Sequence, residues 1–204
     1  MTVLLPFIVN AGLNFVLGLL VALFLGPAAF GLYAIGAAIV VLVNTALLDW
    51  LRLSVVRFYS AQSREQDPGI RATLDLLFAG IGLSLCALLA AALLAGIDTG
   101  LPMTLLAVAV AGGVGAGWFD YHGAVARARF LDAAYARLVF ARGSAALLLM
   151  VGAAWWTGNP AIVLLGGVLS AVVSVLAVRR SLADGGWGFA AARVELARSF
   201  ARYA

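Results

Sequence analysis

Chemistry in this 204-residue chain is most plausible in the stretch LLDWLRLSVVRFYS, residues 47–60. Asp49 and Arg52 are three apart and share a face on a helix, and Arg57 follows five residues later. Guanidinium groups bind phosphate oxygens bidentately, so such a cationic cluster lining a cavity suits a phosphate-bearing ligand. The same spacing also lets Asp49 neutralise Arg52 while both side chains reach for lipid headgroups. Asn10 and Asn14, four apart, lie on one face of an earlier helix, and Asn44 precedes the acidic position. Asparagines so placed either line a polar pathway or join helices by hydrogen bonds. His122, the only histidine, is near Asp120, as a proton-coupling group or a solvated loop residue.

Enzymatic chemistry finds no support. Gly123, Ala126 and Arg127 match the GxxAR core of membrane phosphatidyltransferases. Their metal site needs four carboxylates around that core, and here Phe119, His122, Phe140 and Ser144 stand in those places. No nucleotide-binding loop, zinc cluster or nucleophile–base pair is present in the sequence. The chain is expected to be neither an enzyme nor a holder of metal or cofactor. Cys86 is alone, so it forms no internal disulfide and reads as a small packing residue.

The elements that carry these residues follow from composition. Apolar residues make up 65% of the chain and charged ones 11%, against about a quarter charged in ordinary soluble domains. The resulting expectation is an all-α integral membrane protein. Spans of roughly 17 to 25 apolar residues fall near 4–25, 32–54, 73–97, 101–119, 136–156 and 160–178. Six transmembrane helices then form three hairpins, a bundle over 1–180, with 181–204 as a tail or linker. One set of connections is short and built from turn formers: Gly26 with Pro27, Asp98 to Pro102, and Thr157 to Pro160. All thirteen basic residues are arginine, and they fall in or beside the other set. By the positive-inside rule that set, and both termini, are cytoplasmic. Trp155 and Trp156 close the fifth span on the opposite side, while Trp50 and Trp118 lie toward the arginine-bearing ends.

The formal net charge of +4 belongs to loops beside a membrane, where anionic lipid accounts for it, and nucleic-acid binding is rejected. Only three residues precede the first apolar run, which exceeds a signal-peptide core, so it is expected to be kept as a helix. Glycines concentrate in AGGVGAG, residues 111–117, with Gly113 and Gly117 as a small-xxx-small pair. That run serves either close helix packing or a bend in the fourth helix. Residues 190–204 can form a short helix with Glu195, Arg198, Ser199 and Arg202 on one side, lying at the inner membrane surface.

The segment LGPAAFGLYAIGAAIVVLVNTALLDWLRLSVVRFYS, residues 25–60, resembles the first hairpin of polysaccharide flippases of the multidrug/oligosaccharidyl-lipid/polysaccharide exporter superfamily. Leu25, Gly26, Pro27, Phe30, Gly31 and Tyr33 match the turn after the first helix, and Arg57 with Tyr59 the end of the second. AVARARFLDAAYARLVFARG is similar to the connection between helices four and five, through Arg127 and Arg129. The resemblance implies a transporter in a bacterial cytoplasmic membrane that flips a polyprenyl-pyrophosphate-linked oligosaccharide by alternating access, coupled to a proton or sodium gradient. Its pyrophosphate would meet Arg52 first and Arg57 second, with Asp49, Asn10 and Asn14 as further substrate-binding residues. The family has two six-helix bundles, so a second bundle is implied in the same chain or another subunit, beside membrane lipid and the lipid-linked oligosaccharide as partners. Two alternatives stay open: a drug or cation exporter of the same superfamily, and a non-transporting membrane scaffold.

Overall fold

The computed structural model describes residues 4–60, 67, 69–183 and 192–203, with backbone alone at 4–10, 93 and 201–203. All of the regular structure in these residues is helical, with no strand. Lipid offers backbone amides no partner, and a helix satisfies them internally. The elements are α1 (Leu4–Val43), α2 (Asp49–Phe58), α3 (Gly69–Leu94), α4 (Met103–Ala128), α5 (Asp132–Ala146), α6 (Gly152–Thr157), α7 (Pro160–Leu182) and α8 (Val194–Tyr203). π-Helical turns at Asn44–Leu48 and Leu147–Val151 join α1 to α2 and α5 to α6.

Five stretches are long and apolar enough to cross a membrane: Ala11–Phe58, Gly69–Ala92, Met103–Ala128, Asp132–Thr157 and Pro160–Leu182. The first, at 48 residues, would be about 72 Å long if straight, against about 30 Å of hydrocarbon. It is divided at Gly26, whose φ of 69° and ψ of 172° only glycine adopts readily. Pro27 then opens the second arm, where its fixed φ and missing N–H fit a helix start. Asn14 and Val40 line one cavity, although a straight helix would hold residues 26 apart by about 39 Å. The chain therefore doubles back at Gly26, and the turn marked by Gly26 and Pro27 needs a single residue.

Other boundaries move outward from the apolar runs. α4 continues to Ala128 and α5 begins at Asp132, because Tyr121, Ala124, Val125, Ala134 and Leu138 bury a shared face beyond the hydrophobic centre. The chain turns between them at Phe130, at φ 55°, with Leu131 N–H bonding back to the Ala126 carbonyl. Gly158, at φ 59°, ends α6; the Asn159 side chain then accepts from Ala161 N–H and Pro160 starts α7.

The long helices show large apolar side chains outward: Phe15, Leu23, Leu83, Leu88 and Leu94 are all exposed, as are Trp155 and Trp156. So much continuous apolar surface is stable only against lipid or another protein. Inside, α4 sits centrally between the second arm of α1, α2 and α7. Its glycine run lies within an unbroken helix and lets neighbours approach. A β-carbon built at Gly113 would fall 2.5 Å from Val43 Cβ, and one at Gly117 2.5 Å from Leu48 Cδ1. Close packing is thus what the run does here. Gly166 on α7 does the same against the backbone of Leu149 and Met150 in the second π turn.

Substituting Gly113→Ala should destabilise the bundle by about 1–3 kcal/mol, since Val43 and the Val40 carbonyl cannot swing away as a flexible side-chain tip would. Gly80→Ala, where nothing lies within 4 Å, should leave stability unchanged or slightly raised. Reversible unfolding of both variants in mixed micelles measures the difference.

Candidate functional site

Polar groups gather where the first π turn interrupts the run from α1 to α2. The Asp49 N–H bonds to the Asn44 carbonyl, five residues back, which widens the turn and reorients the side chains on either side of it. Asn44 then reaches α4, and its Nδ2 donates to Asp120 Oδ2 at 2.9 Å. An ionised carboxylate only accepts, so this orientation of the amide leaves Asn44 Oδ1 buried and without a hydrogen-bond partner. Alongside lies a cavity of about 320 Å³, lined by Asn14 from α1, Asn44, Phe119 and Asp120 from α4, and Arg142, Gly143 and Ala146 from α5.

Arg142 is the cation of this cavity. Its guanidinium lies 4.1 Å from the centre of the Phe119 ring, an attraction worth about 0.5–2 kcal/mol. Among the described residues it makes no hydrogen bond and no ion pair within 4 Å; the charge that acts on it is that of Asp120, in the same cavity wall. Arg142 is ten residues into α5 and Asp120 eight residues from the end of α4. At 1.5 Å per residue they lie about 15 Å and 12 Å from those helix ends. A charge carried into hydrocarbon costs about 2.5–3.5 kcal/mol at the span centre and is kept where it meets partners, water or a ligand.

The residues singled out by sequence divide between places. Asn14 lines the cavity. Asp49 and Arg52 instead form an ion pair at 2.7 Å, with side chains 29% and 37% exposed. Arg57 is exposed, its guanidinium beside the Phe58 ring at 5.6 Å. None of those three lines the cavity, and the Asn10 side chain lies outside the described residues. Asp120 and Arg142 were not singled out as site residues: Asp120 falls just past the end of the fourth apolar run, and Arg142, although inside the fifth, was counted with the arginines of the positive connection. The signal that finds them is their place well inside continuous helical stretches of 26 residues each, away from the helix ends.

A second polar cluster holds the arginine-bearing end together. Arg71, only 5% exposed, donates from Nε to both oxygens of Asp75 at 3.0 Å, and Tyr121 donates its hydroxyl to Asp75 at 2.6 Å. The Arg71 guanidinium also lies 5.2 Å from the Tyr121 ring centre and 5.9 Å from that of Tyr59. His122 corrects the picture of a solvated loop histidine: it is buried inside α4, edge-on to the rings of Trp118 and Tyr121. Its Nδ1 is 2.9 Å from the Trp118 carbonyl, which only accepts, so Nδ1 carries the proton. Among the described residues no three of His, Cys, Asp and Glu come together to hold a metal ion.

Comparison with protein-family models, with curated proteins and with solved structures gives no match for this chain.

Tyr121→Phe removes a buried hydrogen bond to a charged acceptor and should cost about 1.5–3 kcal/mol of stability. Arg71→Ala should cost more, about 3–5 kcal/mol, because it strands Asp75 without its counter-charge. Denaturant titration of the two variants, with the cavity residues intact, ranks them.

Proposed function

We propose that this chain is one six-helix bundle of a transporter that moves a polyprenyl-pyrophosphate-linked oligosaccharide across a bacterial cytoplasmic membrane, with its arginine-rich end cytoplasmic. The carrying observation is Arg142: an arginine ten residues into an apolar helical stretch, at a cavity, without an ion pair among the described residues. Lipid cannot solvate such a group, and a diphosphate presents the oxygens that a guanidinium fork binds best. The apolar tail would remain among the exposed leucines and phenylalanines of the outer surface, while the Asn14 and Asn44 amides suit sugar hydroxyls.

The resemblance over residues 25–60 supports the same reading. Its LGP turn is where Gly26 reverses the chain, and its arginine-bearing helix end is α2. Arg142 takes first place as the anion contact, ahead of Arg52, whose charge Asp49 already offsets. A second bundle would supply the facing wall of the cavity, and a proton or sodium gradient the drive.

A drug or cation exporter is the second reading, favoured by one observation: Asp120 brings a carboxylate into the same cavity. The two are separated by paired variants in a polysaccharide-exporting bacterium that carries this protein, with polysaccharide export and cation export both measured. For the lipid-linked substrate, Arg142→Ala should lower export about 10- to 100-fold, the worth of a charge-assisted hydrogen-bond pair, with membrane insertion retained. Arg142→Lys should recover part of it. For a cation exporter, Asp120→Asn is the damaging change and polysaccharide export is untouched by either; a non-transporting scaffold predicts no effect from Arg142→Ala or Arg52→Ala.

A further inference from the structure

At the arginine-rich end, α8 folds back across the ends of α2 and α3. Phe200 is 1% exposed and packs its ring 5.1 Å from that of Phe58, joining the core that holds Val55, Tyr59 and Leu74. Leu196 packs on the same core, while Val194, Glu195 and Arg198 face outward. Ahead of α8, Arg193 N–H donates to Thr73 Oγ at 3.0 Å, and that hydroxyl donates onward to the Gly69 carbonyl at 2.7 Å. The Arg193 guanidinium meets Asp67 Oδ1 at 2.6 Å, the oxygen that also accepts from Gly69 N–H at 2.9 Å. The first turn of α3 is thus gripped on one side by the Arg71–Asp75–Tyr121 cluster and on the other by the approach to α8.

These contacts differ in kind. The Arg193 side chain is 56% exposed, so its ion pair is screened and serves chiefly to fix register. Burial of Phe200 supplies most of the hold, and a phenylalanine side chain shifts a docking equilibrium by roughly ten- to a hundredfold. That is strong enough to favour docking and weak enough to be reversed. What lies beneath is consequential, because α2 continues directly from the π turn that places Asn44 in the cavity wall.

We propose that α8 is a detachable strap. Docked, it keeps the ends of α2 and α3 together and that end of the bundle shut; undocked, the ends part and water reaches the core beneath Phe200. The strap depends on no substrate and stands apart from the transport reading.

The test is a thiol placed in that core. Val55, 0% exposed in α2 and a member of the core that holds Phe200, accepts Val55→Cys with a small loss of volume. On a Cys86→Ser background, the full chain in lipid nanodiscs is labelled with a water-soluble maleimide, which reaches both faces. The intact tail should protect the thiol. Phe200→Asp should raise the labelling rate about tenfold or more, and Arg193→Glu several-fold, with Asp67→Arg added to Arg193→Glu restoring protection. Equal rates in all variants, or no recovery in the charge-swapped pair, would overturn the strap and leave α8 a passively packed helix. If Phe200→Asp fails to assemble, the charge-swap series decides alone.

Discussion

Close contact between α4 and the helix pair beside it is the constraint from which the rest of the bundle follows. Inside a membrane, helices gain nothing from hiding apolar surface that lipid would cover equally well, so association depends on fit and on the few polar bonds that cross between helices. The glycines of α4 provide the fit: with no β-carbon at 113 and 117, Val43 and Leu48 sit almost against the α4 backbone. Only at that separation can Asn44, on a short side chain, reach Asp120. The polar bond and the steric notch are therefore one arrangement, since a bulkier α4 would push Asn44 out of range.

The two π turns fit the same logic. Each widens a helix at the point where it meets a neighbour's small residues: Asn44–Leu48 against Gly117, and Leu147–Val151 against Gly166. A widened turn shifts the phase of everything beyond it. In the first case this leaves Asn44 toward the cavity while Leu48, Leu51 and Val55 continue into the core. In the second, Arg142 lies before the π turn and so keeps the phase of α5, facing the cavity across from Asn44 and Asp120.

Much of this was legible in the residues. Composition and the length of apolar runs marked a membrane protein with long helices, and Gly26 with Pro27 marked the first reversal, because only glycine tolerates that backbone. Asn14 was open to two uses, a polar pathway or a hydrogen bond between helices, and the sequence did not choose between them; in the fold it lines the cavity. Less legible were positions governed by contacts between distant segments. The π turns leave no mark in hydropathy, since NTALL and LLLMV are as suited to an α-helix. Arg71 counts as a loop arginine by its place in the charge pattern, yet Asp75 one turn on and Tyr121 from another helix draw it into the core. Arg142 was grouped with the arginines of a connection although it lies inside the fifth apolar run, and the packing of α5 against α1 and α4 is what brings it to the cavity.

The reversal at Gly26 also governs how the bundle can change shape. A hinge of several residues would let its flanking helices slide independently; a single residue, followed at once by a proline-fixed helix start, leaves almost no slack. The two arms of α1 are therefore held close at that end, and Asn14 and Asn44, one on each side of the reversal, share the cavity wall. Arg142 belongs to α5, which packs directly on the first arm of α1 where Gly143 meets Leu13. A tilt of α5 against α1 would therefore change the gap between the two amides and the Arg142 guanidinium, and with it the charge at the cavity wall.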